Sequence, residues 1–160
     1  MIMVTQILDS WSSFYSNHAL MRTVVEFVHI GGLVAGGGCA IAADLATISA
    51  TRRTPAVRES QLELLERTHA IVVAGLVALT VSGALLVAAD AETFLHSKIF
   101  WLKMGLMAVL LANGWLHLQG GRRVRQGVPD AWNRLHATAI SSLVLWFVIT
   151  LIGASLPNLG

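Results

Sequence analysis

Residues 68–89 read THAIVVAGLVALTVSGALLVAA and contain no Asp, Glu, Lys or Arg. A transmembrane helix needs about 20 consecutive, mostly apolar residues, so this stretch is long enough to cross the hydrocarbon core of a bilayer. Three further apolar stretches of similar length lie near 23–50, 97–119 and 134–154. The sequence therefore predicts four membrane-spanning helices.

The composition supports a membrane protein over a soluble one. Apolar residues make up 55% of the chain and charged residues only 12%, with a mean hydropathy of +0.68. Soluble domains carry about 25% charged residues. Strands are excluded as spanning elements because an open sheet would leave backbone groups unpaired in lipid. We expect a single domain over residues 1–160, an all-α, integral membrane, antiparallel four-helix bundle.

The basic residues predict the orientation of this bundle. Eight of the eleven Lys and Arg residues flank the first and third loops. Because positively charged loops stay in the cytoplasm, both termini are expected on the outer, periplasmic side of a bacterial inner membrane. Residues 5–19 place aromatic side chains among polar ones, which is typical of a short helix at the membrane surface. The eight residues are Arg52, Arg53, Arg58, Arg67, Arg122, Arg123, Arg125 and Arg134.

Six histidines are the most informative polar residues. Ionisable side chains are costly at membrane depth and usually face a bundle interior or a site. His29 and His96 lie near the outer ends of predicted helices one and three, whereas His69, His117 and His136 lie near the inner ends of helices two, three and four. Those near a helix end have an alternative role as amphipathic anchors at the interface.

Predicted helix three concentrates its polar residues on one stripe. At 100° per residue, Asn113, Lys103 and His96 all fall within about 60° of His117. Such a stripe has to face the other helices, because lipid would not solvate it.

Predicted helix one carries small residues on the His29 face, among them Gly32 and Gly36. A row of small residues allows another helix to approach closely. It could equally leave a flat slot for a planar cofactor beside an axial histidine. Arg22 lies on the same face and would place charge at the outer mouth of such a slot.

Paired histidines on facing helices suit a six-coordinate haem, because neutral imidazole is a good iron ligand. His29 and His96 could hold one haem near the outer surface. Two of His69, His117 and His136 could hold another near the inner surface, or these three could bind zinc or copper. The basic loops are interpreted as topology signals, so no nucleic-acid partner is expected.

Short motifs along most of the chain resemble a superfamily of four-helix membrane haem proteins. That superfamily includes bacterial protoporphyrinogen oxidases and the membrane domain of copper-resistance D proteins. The resemblance implies that His29 is a haem ligand and that Lys103 is a catalytic site residue. The motifs are Val28-His29-Ile30-Gly31-Gly32, Leu65-Glu66-Arg67, Ser82-Gly83, Phe100-Trp101-Leu102-Lys103-Met104 and Trp115-Leu116-His117.

Two departures from the oxidase pattern favour a b-type cytochrome: no tryptophan follows His29 within its helix, and Asp44 stands where an arginine is expected. We therefore predict an electron carrier with one or two haem b groups, exchanging electrons with quinone or a redox partner protein. A homo-oligomer is also compatible with the sequence. The alternatives are a haem-dependent, protoporphyrinogen-oxidase-like enzyme and a copper or zinc carrier or accessory subunit.

Overall fold

The computed structural model describes the backbone of residues 2–159 and the side chains of residues 6–156, and this part of the chain is helical without strands. Seven α-helices and one π-helical segment follow one another, joined by short turns. The helices are α1 (Ile2–Asn17), α2 (Ala19–Gly32), α3 (Gly38–Ala50), α4 (Pro55–Ala89), α5 (Ala91–His96), α6 (Lys98–Arg125) and α7 (Ala131–Leu159), and the π-helical segment is Leu33–Gly37.

Four helical stretches are long and apolar enough to cross a membrane, which makes the chain a multi-pass membrane protein in contact with lipid. They confirm the four predicted spans and extend all of them. α4, for example, begins 13 residues before the predicted start at Thr68, because Pro55 occupies its first turn, where proline is tolerated. The stretches are Ala19–Ala50, Pro55–Ala89, Lys98–Arg125 and Ala131–Leu156.

The third span begins at Lys98, next to its predicted start at residue 97, but His96 lies outside it, which corrects the expected polar stripe. His96 ends the short helix α5, and Ser97 has extended backbone angles and accepts a hydrogen bond from the Phe100 amide at 3.3 Å. A serine in this position satisfies one of the free amides at a helix start. Lys103 and His117 therefore share α6, whereas His96 belongs to a separate helix.

Close glycine contacts join α2 to α4. A Cβ at Gly36 would lie 2.9 Å from the Gly75 Cα, and a Cβ at Gly32 would lie 3.0 Å from the Gly75 carbonyl oxygen. The small-residue face of the first span is therefore a helix-packing surface at these positions. A flat cofactor slot, the other interpretation of the row, does not exist at Gly36.

The remaining interior lies where α7 meets α3 and α6. Leu79, Leu110, Trp146 and Ile149 form one buried apolar cluster, and the Trp146 ring packs against the backbone at Gly37 in the π-helical segment. π-helical turns inside α-helices are rare, and those that occur are often found near functional sites. This one lies between His29 and Asp44 and was not predicted.

α1 is folded back against the last turns of α4. The Trp11 indole donates to the Leu85 carbonyl at 2.9 Å, and the Ser12 hydroxyl donates to the Ala89 carbonyl at 2.7 Å. The Ser12 bond satisfies a carbonyl group that the C-terminus of α4 leaves free. The helix predicted at 5–19 is thus present, with bounds shifted by two to three residues.

The turns at 51–54 and 126–130 lie at the end of the helices away from α1. We call this end the arginine-rich end. The Trp132 indole donates to the Thr51 hydroxyl at 3.1 Å, and the Arg58 guanidinium lies 5.1 Å from the Trp132 ring centroid. Arg58 also donates to the Thr51 carbonyl. These contacts tie α3, α4 and α7 together.

Candidate functional site

A cleft of about 500 Å³ separates α4 from α6. It forms because α4 packs on α2 and α3 whereas α6 packs on α7, which leaves the facing sides of α4 and α6 apart. Cavities of this size hold cofactors and drug-sized ligands. Most of the lining is apolar, and its polar side chains are Asp44, Glu66, Thr68, His69, His117, Arg122, Arg125 and Ser142.

His117 lines the cleft in a defined tautomer. Its Nδ1 lies 3.0 Å from the Thr138 hydroxyl oxygen, and that hydroxyl donates its own proton to the Leu135 carbonyl at 2.9 Å. The hydroxyl oxygen can therefore only accept, so Nδ1 carries the ring proton and Nε2 carries a lone pair. Nε2 is buried and has no hydrogen-bond partner.

Asn113, one turn earlier on α6, supports this arrangement. Its side-chain amide donates to the Thr138 carbonyl at 2.9 Å, and the residue is 8% exposed. The bond holds Thr138 beside His117, so Asn113 positions the histidine and does not itself line the cleft.

His29 has the same arrangement on a different pair of helices. Its Nδ1 lies 2.9 Å from the Ser82 hydroxyl oxygen, and Ser82 donates to the Ala78 carbonyl at 2.5 Å. The Nδ1 again carries the proton, which leaves a lone pair on Nε2. In metalloproteins a histidine ligand commonly donates its other ring N–H to such an oriented acceptor.

Lys103 belongs to the surroundings of His29, away from the cleft. Its Nζ lies 3.2 Å from the position that a Cβ on Gly153 would occupy, so the lysine packs against α7 where that helix has no side chain. Lys103 is close enough for its charge to act on the His29 imidazole. Helices α2 and α4 thus meet at His29 and Ser82, and helices α6 and α7 meet at Lys103 and Gly153.

The side chains of two further predicted site residues form hydrogen bonds to nearby backbone carbonyls. His96 is exposed, and its Nδ1 lies 2.7 Å from the Glu92 carbonyl within α5. Arg22 is exposed and donates to the Ser16 carbonyl of α1. No contact in the described part of the chain joins His96 to His29, so this pair stays a prediction.

Of the three histidines predicted near the inner ends of the helices, His69 and His117 line the same cleft and His136 does not. His69 is an exposed residue of α4 that lines the cleft, and His117 lines the same cleft from α6. His136 is half-buried in the first turns of α7 and does not line the cleft. Between residues 6 and 156, no group of three or more His, Cys, Asp or Glu side chains could hold a metal ion.

The arginine-rich end of the cleft carries charges of both signs. Arg125 and Glu66 form an ion pair of 3.0 Å across the gap between α6 and α4, with 45% and 65% of their side chains exposed. Exposed pairs of this kind contribute about 0–1 kcal/mol. Arg125 can therefore exchange Glu66 for another anion at little cost.

Sequence reasoning missed the partners of the two oriented histidines. Ser82 and Thr138 lie 53 and 21 residues from the rings that they contact. Serine and threonine inside apolar helices usually bond to their own backbone. Ser82 lies in the Ser82-Gly83 motif of the family resemblance, but nothing in the local sequence assigns either hydroxyl to a histidine.

Comparison of the chain with protein-family models, with curated proteins and with solved structures finds no match.

Proposed function

We propose that this protein is a b-type cytochrome of a bacterial inner membrane, built as an antiparallel four-helix bundle with its arginine-rich end in the cytoplasm and both termini outside. The observation that carries the proposal is the buried, unpartnered Nε2 of His117, held as a lone-pair donor at the wall of an apolar cleft. An imidazole nitrogen in this state is the form that binds iron.

The residues of the cleft fit haem b. The lining is largely apolar, and Gly114 and Gly121 leave parts of the α6 wall without side chains. His117 on α6 and His69 on α4 are the residues that would hold the iron. Arg122 and Arg125 would meet the propionates at the cytoplasmic end. Bound haem would supply a one-electron iron couple in these surroundings.

The protein residues set the conditions for electron transfer. Thr138 and Asn113 hold His117 in one orientation, which limits the reorganisation needed when the charge at the site changes. The apolar lining excludes water and lowers the local dielectric constant, which tunes the potential. Because the cleft lies between two apolar spans, the electron donor under this proposal would be quinol from the bilayer or a redox partner protein.

The reduced-minus-oxidised absorption spectrum of protein purified in mild detergent tests this proposal. We expect a Soret band and split α and β bands on dithionite reduction. His117→Ala should lose most of the bound haem, and His69→Ala should change the spectrum of what remains. His18→Ala is the matched control, because His18 is exposed and stacks on Phe14 with 4.1 Å between ring centroids.

Two results would contradict the proposal or its ligand assignment. A preparation without any Soret band would refute haem binding, and bound copper or zinc in that colourless sample would support the metal-carrier alternative. An unchanged haem content in His117→Ala would remove this residue from the ligand set.

A second candidate function is supported by the group formed by His29, Ser82 and Lys103. An oriented imidazole beside a lysine suits an enzyme acting on an anionic porphyrin, as the oxidase resemblance implies. His29→Ala separates the two functions. Loss of a second haem, seen as a fall in the pyridine haemochrome ratio from two towards one, indicates a cytochrome with two centres. Retained haem with lost porphyrinogen oxidation indicates the enzyme.

A further inference from the structure

Asp44 is a buried carboxyl that the proposed haem ligation does not use. It lies on α3, is 4% exposed and lines the cleft between α4 and α6. Its Oδ2 atom is buried without a hydrogen-bond partner, and the neighbouring polar side chain is Ser142 of α7. An unpaired charge is expensive in an apolar interior, so a carboxyl in this position calls for a role.

The nearby amide does not serve this carboxyl. Gln61 of α4 donates to the Ala43 carbonyl at 3.1 Å and to the Thr47 hydroxyl at 3.0 Å, which uses both of its donor hydrogens. Gln61 therefore has no free N–H group to donate to Asp44.

The charged and titratable groups that share the cleft with Asp44 come from two helices. α4 contributes Glu66 and His69, and α6 contributes His117, Arg122 and Arg125. From α7, only Ser142 and Trp146 line the cleft. Arg125 is paired with Glu66, and no ion pair to Asp44 exists among the described residues. Within residues 6–156, no Lys or Arg is therefore paired with Asp44.

We infer that Asp44 is the proton acceptor of the cleft, a role that rests on the proposed function. If haem in the cleft supplied a one-electron couple, ionised Asp44 would take up one proton from the bulk aqueous phase at the arginine-rich end for each electron gained, with an O–H bond formed at Oδ2. The electron and the proton cancel, so the net charge of the cleft is unchanged. In a medium of low dielectric constant, an uncompensated added charge would be unfavourable.

The test is a redox titration of the haem-loaded protein in detergent at several pH values. For one proton taken up per electron, the midpoint potential should fall by about 59 mV for each tenfold decrease in proton concentration. Asp44→Asn keeps the shape of the side chain but cannot gain the proton, so its potential should not vary over the same pH range. Glu63→Gln is the control, because it removes an exposed carboxylate at the arginine-rich end of α4. The midpoint potential of this variant should vary with pH as it does in the parent protein.

Infrared difference spectroscopy provides a second readout. Reduction should produce a protonated carboxylic C=O band that is absent in Asp44→Asn. If Asp44→Asn fails to fold, Ser142→Ala replaces it, because it removes the hydroxyl beside the carboxyl while keeping the carboxyl. This variant should change the pH range over which the potential varies, and an unchanged range would overturn the inference.

The outcomes separate this inference from the function on which it rests. A haem-free preparation overturns both. A haem-loaded protein whose potential does not depend on pH, or an Asp44→Asn variant that keeps the dependence, overturns the proton-accepting role and leaves the cytochrome proposal intact.

Discussion

Replacing Gly75 by alanine tests the helix contact on which the first two spans depend. A Cβ on Gly75 would lie 2.5 Å from the Gly36 Cα, 2.8 Å from the Gly36 nitrogen and 2.9 Å from the Gly32 carbonyl oxygen. All three atoms belong to the backbone, so no flexible side chain can move aside.

The cost follows from the distance that the helices must separate. Carbon atoms at optimal contact lie about 3.5–4.0 Å apart, so α4 has to retreat from the first span by roughly 1 Å. Overpacking of this kind costs about 1–3 kcal/mol. Alanine also favours the helix over glycine by about 0.8–1.0 kcal/mol, which works in the opposite direction.

Gly105→Ala is the matched control, because Gly105 also lies inside a spanning helix but nothing lies within 4 Å of its added Cβ. It isolates the change in helix propensity. We expect Gly75→Ala to be less stable than Gly105→Ala by about 1–3 kcal/mol, a factor of about 5 to 150 in the unfolding equilibrium.

Unfolding in mixed micelles with increasing SDS, followed by tryptophan fluorescence and circular dichroism, measures this difference. Equal stability of the two variants would refute the close approach of α4 to Gly36. The row of small residues would then be available again as a cofactor slot.

Three other predictions concern the cleft. Thr138→Val removes the acceptor that holds the His117 N–H and should weaken haem binding about 10–100-fold, measured by haem titration of the apoprotein; Thr138→Ser should restore it. Asn113→Leu should lower haem affinity less than Thr138→Val, since it removes only the bond to the Thr138 carbonyl, and an equal or larger loss would place Asn113 in direct contact with the ligand. Glu66→Gln should change stability by at most about 1 kcal/mol in SDS unfolding, because its pair with Arg125 is exposed, whereas a larger loss would show that the pair closes the cleft.

Some features of the site could be predicted because they depend on single residues in apolar surroundings. His29 and His117 stand out in the sequence as costly polar groups within spans, and in the structure both have an oriented ring with a lone pair on Nε2. The catalytic role of Lys103 stays a prediction; this lysine packs against Gly153 of α7 and does not line the cleft. His96 was misplaced because Ser97 starts a new helix, a boundary set by one capping hydrogen bond.

The amino-acid sequence by itself determined the four spans, because crossing a bilayer depends only on the length and apolarity of a local stretch. The tertiary structure alone decided which helix faces contact each other. Spans that are apolar all round carry little information about their inward side, so the Gly36–Gly75 approach and the gap between α4 and α6 are not visible in any one helix. The burial of Asp44 at the wall of that gap is likewise a result of how four distant segments pack together.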